Sequence, residues 1–179
     1  MYGPGIYAPD QPTQENISAS STFNFKETKI SPLADFEITA KVLSRKNYTF
    51  DETASISPID LALGWGRMSD EKVLDTLHIS QSNRWYHWNT DKLIIPRREI
   101  ETHSANMHMI PSTQDIEVIL ETVKNGDIIH LKGQLVRVDN INGSYWKSST
   151  SRTDTGAGAC EIIFVTYFEI LNPILNSAQ

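Results

Sequence analysis

The run Asp127-Ile128-Ile129-His130-Leu131-Lys132-Gly133-Gln134-Leu135-Val136-Arg137-Val138 constrains this chain more than any other stretch. Apolar and polar residues alternate along it, the period of a strand with one buried face. It is about twice the usual strand length of five or six residues. Gly133 sits in its middle, where the missing side chain predicts a bend or bulge. Asn142-Gly143 follows as a hairpin signal, and Tyr145-Trp146 opens the returning strand. A long strand bent at a glycine and returned through a tight turn suits a small antiparallel barrel.

Other stretches agree. Phe36 to Ser44 alternates, with Phe36, Ile38, Ala40 and Val42 on one face. Phe23 to Lys26 reads as a short strand, with Pro32 as punctuation after it. Arg84-Trp85-Tyr86-His87-Trp88 reads as a strand buried on both faces. Leu93-Ile94-Ile95 reads as a strand closed by Pro96, Glu101 to Pro111 as extended chain, and Glu161 to Leu171 as the last strand. Helix signals are fewer. Ser57-Pro58-Ile59-Asp60-Leu61-Ala62-Leu63 offers a Ser cap, Pro at the first helical position and Asp in the first turn. It predicts about two helical turns before Gly64 and Gly66, with Trp65 turned into the core. Ser69 to Leu77 repeats that logic, and Ser112 caps a helix running to Lys124, ended by a left-handed Asn125-Gly126.

The fold class is therefore mostly β, α+β at the margin. It is a small antiparallel, partly closed β-barrel with two or three short helices, an OB-like barrel among the candidates, and a β-sandwich is the alternative. Residues 1–22, rich in Pro, Gly, Ser, Thr and Gln, read as a flexible N-terminal arm through which an oligomer can form. Residues 23–171 read as one β-rich domain and 172–179 as a tail.

Several segments together resemble a group of uncharacterised bacterial proteins that share their order. They are Ser57 to Gly66, His103-Ser104-Ala105-Asn106-Met107-His108, Gly126-Asp127 with Lys132-Gly133, and Ser151 to Glu161. The resemblance spans Ile30 to Leu171. It implies no activity and no catalytic residues.

Charge and composition narrow the function classes. The net charge of −6 argues against a generic duplex-DNA surface, although Lys92, Arg97 and Arg98 lie close together. No apolar run approaches the roughly 20 residues of a membrane span. The chain reads as soluble, cytoplasmic or, with a leader trimmed, from the cell envelope. A single cysteine excludes an intrachain disulfide.

Candidate chemistry gathers in two polar segments. Cys160 with His103 or His108 offers a nucleophile and base, oriented by Asn106 or Asp154. Asp154-Thr155-Gly156-Ala157 matches the aspartic-peptidase triplet but lacks the apolar strand before it and a second copy. Glu101, His103 and His108 fit no standard metal spacing, so neither metal nor cofactor is expected. The glycines fit no phosphate loop. Trp85, Tyr86, Trp88 and Trp146 offer stacking surfaces for single strands or sugars.

The leading expectation is a binding or interaction module, leaning away from an enzyme. Its ligand or protein partner meets His103, Asn106, His108, Ser151, Arg152, Asp154, Trp85 and Trp146. Two geometric expectations accompany it. Cys160 is buried and unreactive at the head of its strand, and the segments 103–108 and 152–160 line one cleft.

Overall fold

The computed structural model describes residues 4–18, 21–151 and 160–171. Its strands are β1 (Thr13–Asn16), β2 (Phe23–Phe25), β3 (Thr28–Asn47), β4 (Ile59–Gly64), β5 (His78–Ser82), β6 (Trp85–Asn89), β7 (Ser104–Pro111), β8 (Ile128–Asn140), β9 (Tyr145–Lys147) and β10 (Glu161–Leu171). The helices are α1 (Glu71–Leu74), α2 (Arg97–Thr102) and α3 (Gln114–Thr122), with a 3-10 turn at Gly66–Ser69.

β3 is the spine of the large sheet. One edge pairs with β8 over residues 28–41. The other edge takes β2 at 28–30, β1 at 34–37 and β4 at 41–47 in turn. From β4 the path runs through β7 and β10 to β8, and β8 closes back on β3. The result is a partly closed ring of strands. β5 and β6 form a separate two-stranded sheet.

The ring encloses one main core. Phe36, Ile38, Ala40 and Val42 point into it, as their alternation predicts. They meet Leu61, Leu63, Trp65, Met107, Met109, Leu131, Leu135 and Val165, and Leu120 and Val123 close one opening. A second apolar cluster lies on the outer face, where Ile30, Val136, Val138 and Ile162 are covered by Phe23, Phe25 and Trp146.

Several expectations are corrected. Ile59–Gly64 is a strand and not a helix, because every residue in it is buried between β3 and β7. A strand covered on both faces loses its alternation, and the cap-like Ser57-Pro58 then mimics a helix start. The β7–β10 pairing is parallel, whereas an antiparallel sheet was expected. β6 is half-exposed rather than buried on both faces. Residues 93–95 are irregular chain leading into α2, with only Ile95 buried. Pro32 lies inside β3, beside a bulge that lets the ladder pass it. Thr113, not Ser112, caps α3, and the helix ends at an extended Val123 rather than at a left-handed Gly126.

Gly133 is not in the left-handed region, and its strand keeps register with β3 through it. The irregularity lies opposite, in β10 between Val165 and Tyr167. A Cβ on Gly133 would stand 2.2 Å from the Phe164 carbonyl oxygen. The glycine is there for close backbone approach, not for a bend of its own strand.

The N-terminal arm was expected to be loose, yet residues 5–16 are tied to the ring. β1 pairs with β3, and Ala8 donates to Ser69 Oγ and accepts from the Gly66 amide. The Gly5 amide donates to Asp70 Oδ1, and Tyr7 faces Lys41. Lys41 in turn makes a buried 3.0 Å ion pair with Glu71 on α1.

Candidate functional site

Because β4 is a strand, Asp60 projects to the outer face of the ring while Ile59 and Leu61 project inward. β7 alternates in step with it. Asp60 lies opposite His108, Ala62 opposite Asn106 and Gly64 opposite Ser104. Ser104, Asn106 and His108 thus form a polar row on the outer face. The row is buried: Asp60 is 0 % exposed, His108 1 % and Asn106 6 %.

The β5–β6 hairpin supplies the roof. Its turn, Asn83-Arg84, has both residues at positive φ, the two-residue geometry that suits a twisted hairpin. Asn tolerates that conformation, whereas Arg rarely adopts it. Arg84 is held there by bonds on every side. Its amide donates to Tyr48 Oη at 3.0 Å, and its carbonyl accepts from Asn106 Nδ2 at 3.0 Å. Its guanidinium reaches Asp60 Oδ1 at 2.7 Å, spans both oxygens of Asp51, and lies 3.8 Å from the Tyr48 ring centre. Gln81 Nε2 donates to Asn106 Oδ1 at 2.6 Å, and Tyr86 Oη to Ser104 Oγ at 3.3 Å.

The electrostatics follow from burial and pairing. Burial acts to lower the Arg84 pKa, but its bonds and charge contacts with Asp51 and Asp60 outweigh that and raise it. Burial acts to raise the Asp51 carboxyl, and the bonds from Arg84 and Thr53 hold it below its ordinary value. Burial pushes the phenols of Tyr48 and Tyr86 up, Tyr86 to about 12. His108 Nδ1 lies 2.9 Å from Asp60 Oδ1 but off the line of a directed hydrogen bond. Distance and angle disagree there, and the contact is best taken as electrostatic. The Trp146 ring flanks the imidazole at 4.6 Å between centres.

The row also adjoins the start of β10. Ile162 lies opposite His108 in the parallel pair, so Cys160, two residues earlier, comes level with Asn106. Ser148 Oγ accepts from the Ile162 amide at 3.0 Å, and the Ser149 amide donates to the Cys160 carbonyl at 3.0 Å. Cys160 is half-buried, not buried as expected.

Of the residues nominated by sequence, Asn106, His108 and Trp146 come together. Arg152 and Asp154, and with them most of the expected shared cleft, lie outside the described residues. Ser151 is exposed at the edge of that segment. Trp85 is 38 % exposed, and its strand alternation sends it away from the ring, opposite to Tyr86.

His103 belongs to a different neighbourhood, at the end of α2. Trp65 Nε1 donates to Gln11 Oε1, which fixes the Gln11 amide so that Nε2 donates to His103 Nε2 at 2.7 Å. His103 Nδ1 then carries the proton and faces the Glu99 carbonyl. Nε2 thus holds the arm, while Nδ1 is engaged by the Glu99 carbonyl and the Thr102 hydroxyl of its own helix. Glu101 pairs with Arg97, far from any shared ligand set with the two histidines. Among the described residues no group of three or more His, Cys, Asp or Glu side chains could hold a metal ion.

Asp60, Arg84 and Tyr48 were missed. Asp60 was hidden by the helix-like Ser57-Pro58 signature. Arg84 was hidden because its strand was recognised without the partner strand His78–Ser82, and so without the turn between them. No family model matches this chain, and neither a curated protein nor a solved structure shows a match to it.

Proposed function

We propose that this protein is a binding module whose ligand meets the partly exposed Trp146, which the buried polar row beneath it positions. One observation carries the reading: Asp60, fully buried, is approached by both the Arg84 guanidinium and the His108 imidazole, beside a partly exposed indole. Buried charges are costly to desolvate, and apolar packing would stabilise the same surface as well or better. A partly exposed indole held over a fixed polar row suits a ligand with a ring or sugar face. Titrating tryptophan fluorescence with oligosaccharides, single-stranded oligonucleotides and peptides tests the reading. Saturable binding by one class is expected, weakened at least about tenfold in a His108→Gln variant whose circular dichroism and melting match the parent's. Binding to none, or equal binding by His108→Gln, would remove the site.

A second reading is favoured by the β7–β10 register, which brings Cys160, just before β10, level with Asn106, two residues along β7 from His108 and its neighbour Asp60. In a hydrolase, His108 would take the thiol proton and Asp60 would orient the ring. The rate of Cys160 alkylation against pH separates the two. A thiol reacting as an ordinary cysteine, unchanged in His108→Gln, leaves the binding reading alone.

A further inference from the structure

Three turns meet at one end of the ring. They are Lys26-Glu27 between β2 and β3, the loop 48–58 after β3, and residues 141–144 between β8 and β9. The first and second are joined by Lys26 Nζ, which donates to the Ser55 carbonyl at 2.6 Å. The first and third are joined by the register of Thr28 with Asn140.

The tips of two of these turns carry apolar side chains that nothing covers. Phe50 is 100 % exposed and Ile141 90 %, and Tyr145 just beyond the third turn is 61 % exposed. Single exposed aliphatic residues are ordinary. A fully exposed phenylalanine and a nearly fully exposed isoleucine, on separate turns at one end, are a patterned feature. The strand ends and turns beside them carry four exposed lysines, Lys26, Lys29, Lys46 and Lys147. The opposing carboxylates are Glu27 and Glu52, since Asp51 and Asp139 are committed to Arg84 and Arg137. Counting the two arginines as well, the six basic groups at these turns exceed the acidic ones (Glu27, Glu52, Asp51, Asp60 and Asp139) by one, against a net charge of −6 for the whole chain.

We propose that this end of the ring docks on an anionic membrane surface. Phe50 and Ile141 enter the headgroup region while the lysines contact lipid phosphates. A single-stranded nucleic acid fits less well. Ile141 offers no ring for a base, and side chains on separate turn tips make no continuous stacking platform. The proposal does not rest on the Trp146 reading: Phe50 and Ile141, the inserting residues, are outside the polar row, although Tyr145 and Lys147 flank Trp146.

Vesicle co-sedimentation of the full chain tests it. Vesicles of phosphatidylcholine with phosphatidylglycerol should bind the protein, and phosphatidylcholine alone should not. Added salt should weaken the binding. The double variant Phe50→Ser, Ile141→Ser should bind at least about tenfold more weakly and melt like the parent, because neither side chain packs on the protein. Lys29→Glu with Lys147→Glu should lose binding to the anionic vesicles. Failure to bind these vesicles, or unchanged binding by the serine variant, would overturn the proposal. So would a lysine variant that loses affinity for a single-stranded oligonucleotide while the parent ignores vesicles, which would reassign the surface to nucleic acid.

Discussion

Asp60 shows how much can turn on one side chain. It is sealed from water and takes the Arg84 guanidinium at 2.7 Å and Asn106 Nδ2 at 3.3 Å, with the His108 imidazole beside it. Asp60→Asn keeps the shape and removes the charge, leaving the largely buried Arg84 guanidinium with Asp51 as its one remaining carboxylate. We expect a loss of about 3 kcal/mol in urea unfolding. A loss under about 1 kcal/mol would mean that Asp51 alone satisfies Arg84. Tyr86 offers a test in the alkaline range. Its phenol ordinarily ionises near 10.0, and burial raises it to about 12 in the folded chain. The stability this carries is full below pH 10 and drains as pH rises toward 12. Tyr86→Phe has no proton to lose, so its stability should fall less over that interval than the parent's. Parallel curves for the two proteins would show that Tyr86 opens to solvent before it ionises. Neither residue's role was legible in sequence. Asp60 sat in a segment with helix-start chemistry, and Tyr86 in an aromatic run where nothing distinguished the inward positions from the outward ones.

At the scale of elements, legibility followed the pattern of burial. β8, β9 and β10 were readable because one face is buried and the other is not, and because Asn142-Gly143 marks their hairpin. β4 was unreadable because both of its faces are covered. The β5–β6 hairpin was half readable: β6 announced itself by aromatic mass, and β5, His-Ile-Ser-Gln-Ser, carries little apolar content. This hairpin makes no backbone ladder with the ring. It is held by side chains, chiefly Arg84, Gln81 and Tyr86, and by Trp88 packed against a third small cluster. Arg84→Ala should therefore release the hairpin without unfolding the ring. In hydrogen exchange, the amides of 79–88 should lose protection while those of β3 and β8 keep it. Equal loss in both would show hairpin and ring to be one cooperative unit.

For the whole molecule, the arm matters more than its composition suggests. Polar residues and three prolines concealed its attachment, because backbone groups rather than apolar side chains make most of it. β1 covers residues 34–37 of the β3 edge. Removing residues 1–17 would leave that edge bare, and bare edges pair with other chains. Light scattering after size exclusion should show the shortened protein self-associating, and a strictly monomeric product would mean that the edge is protected by other means. Ring closure has a further consequence, for the order in which a ribosome delivers the chain. β3 emerges early, yet its longest partner arrives far behind it: Glu37 and His130, neighbours in the folded sheet, are 93 positions apart in sequence. Until β8 leaves the exit tunnel, a twenty-residue strand has no partner along most of one edge. β10, the last of the described strands, then joins β7 to β8. During synthesis, the apolar residues that later fill the ring depend on chaperones, or on speed, to stay apart from their neighbours.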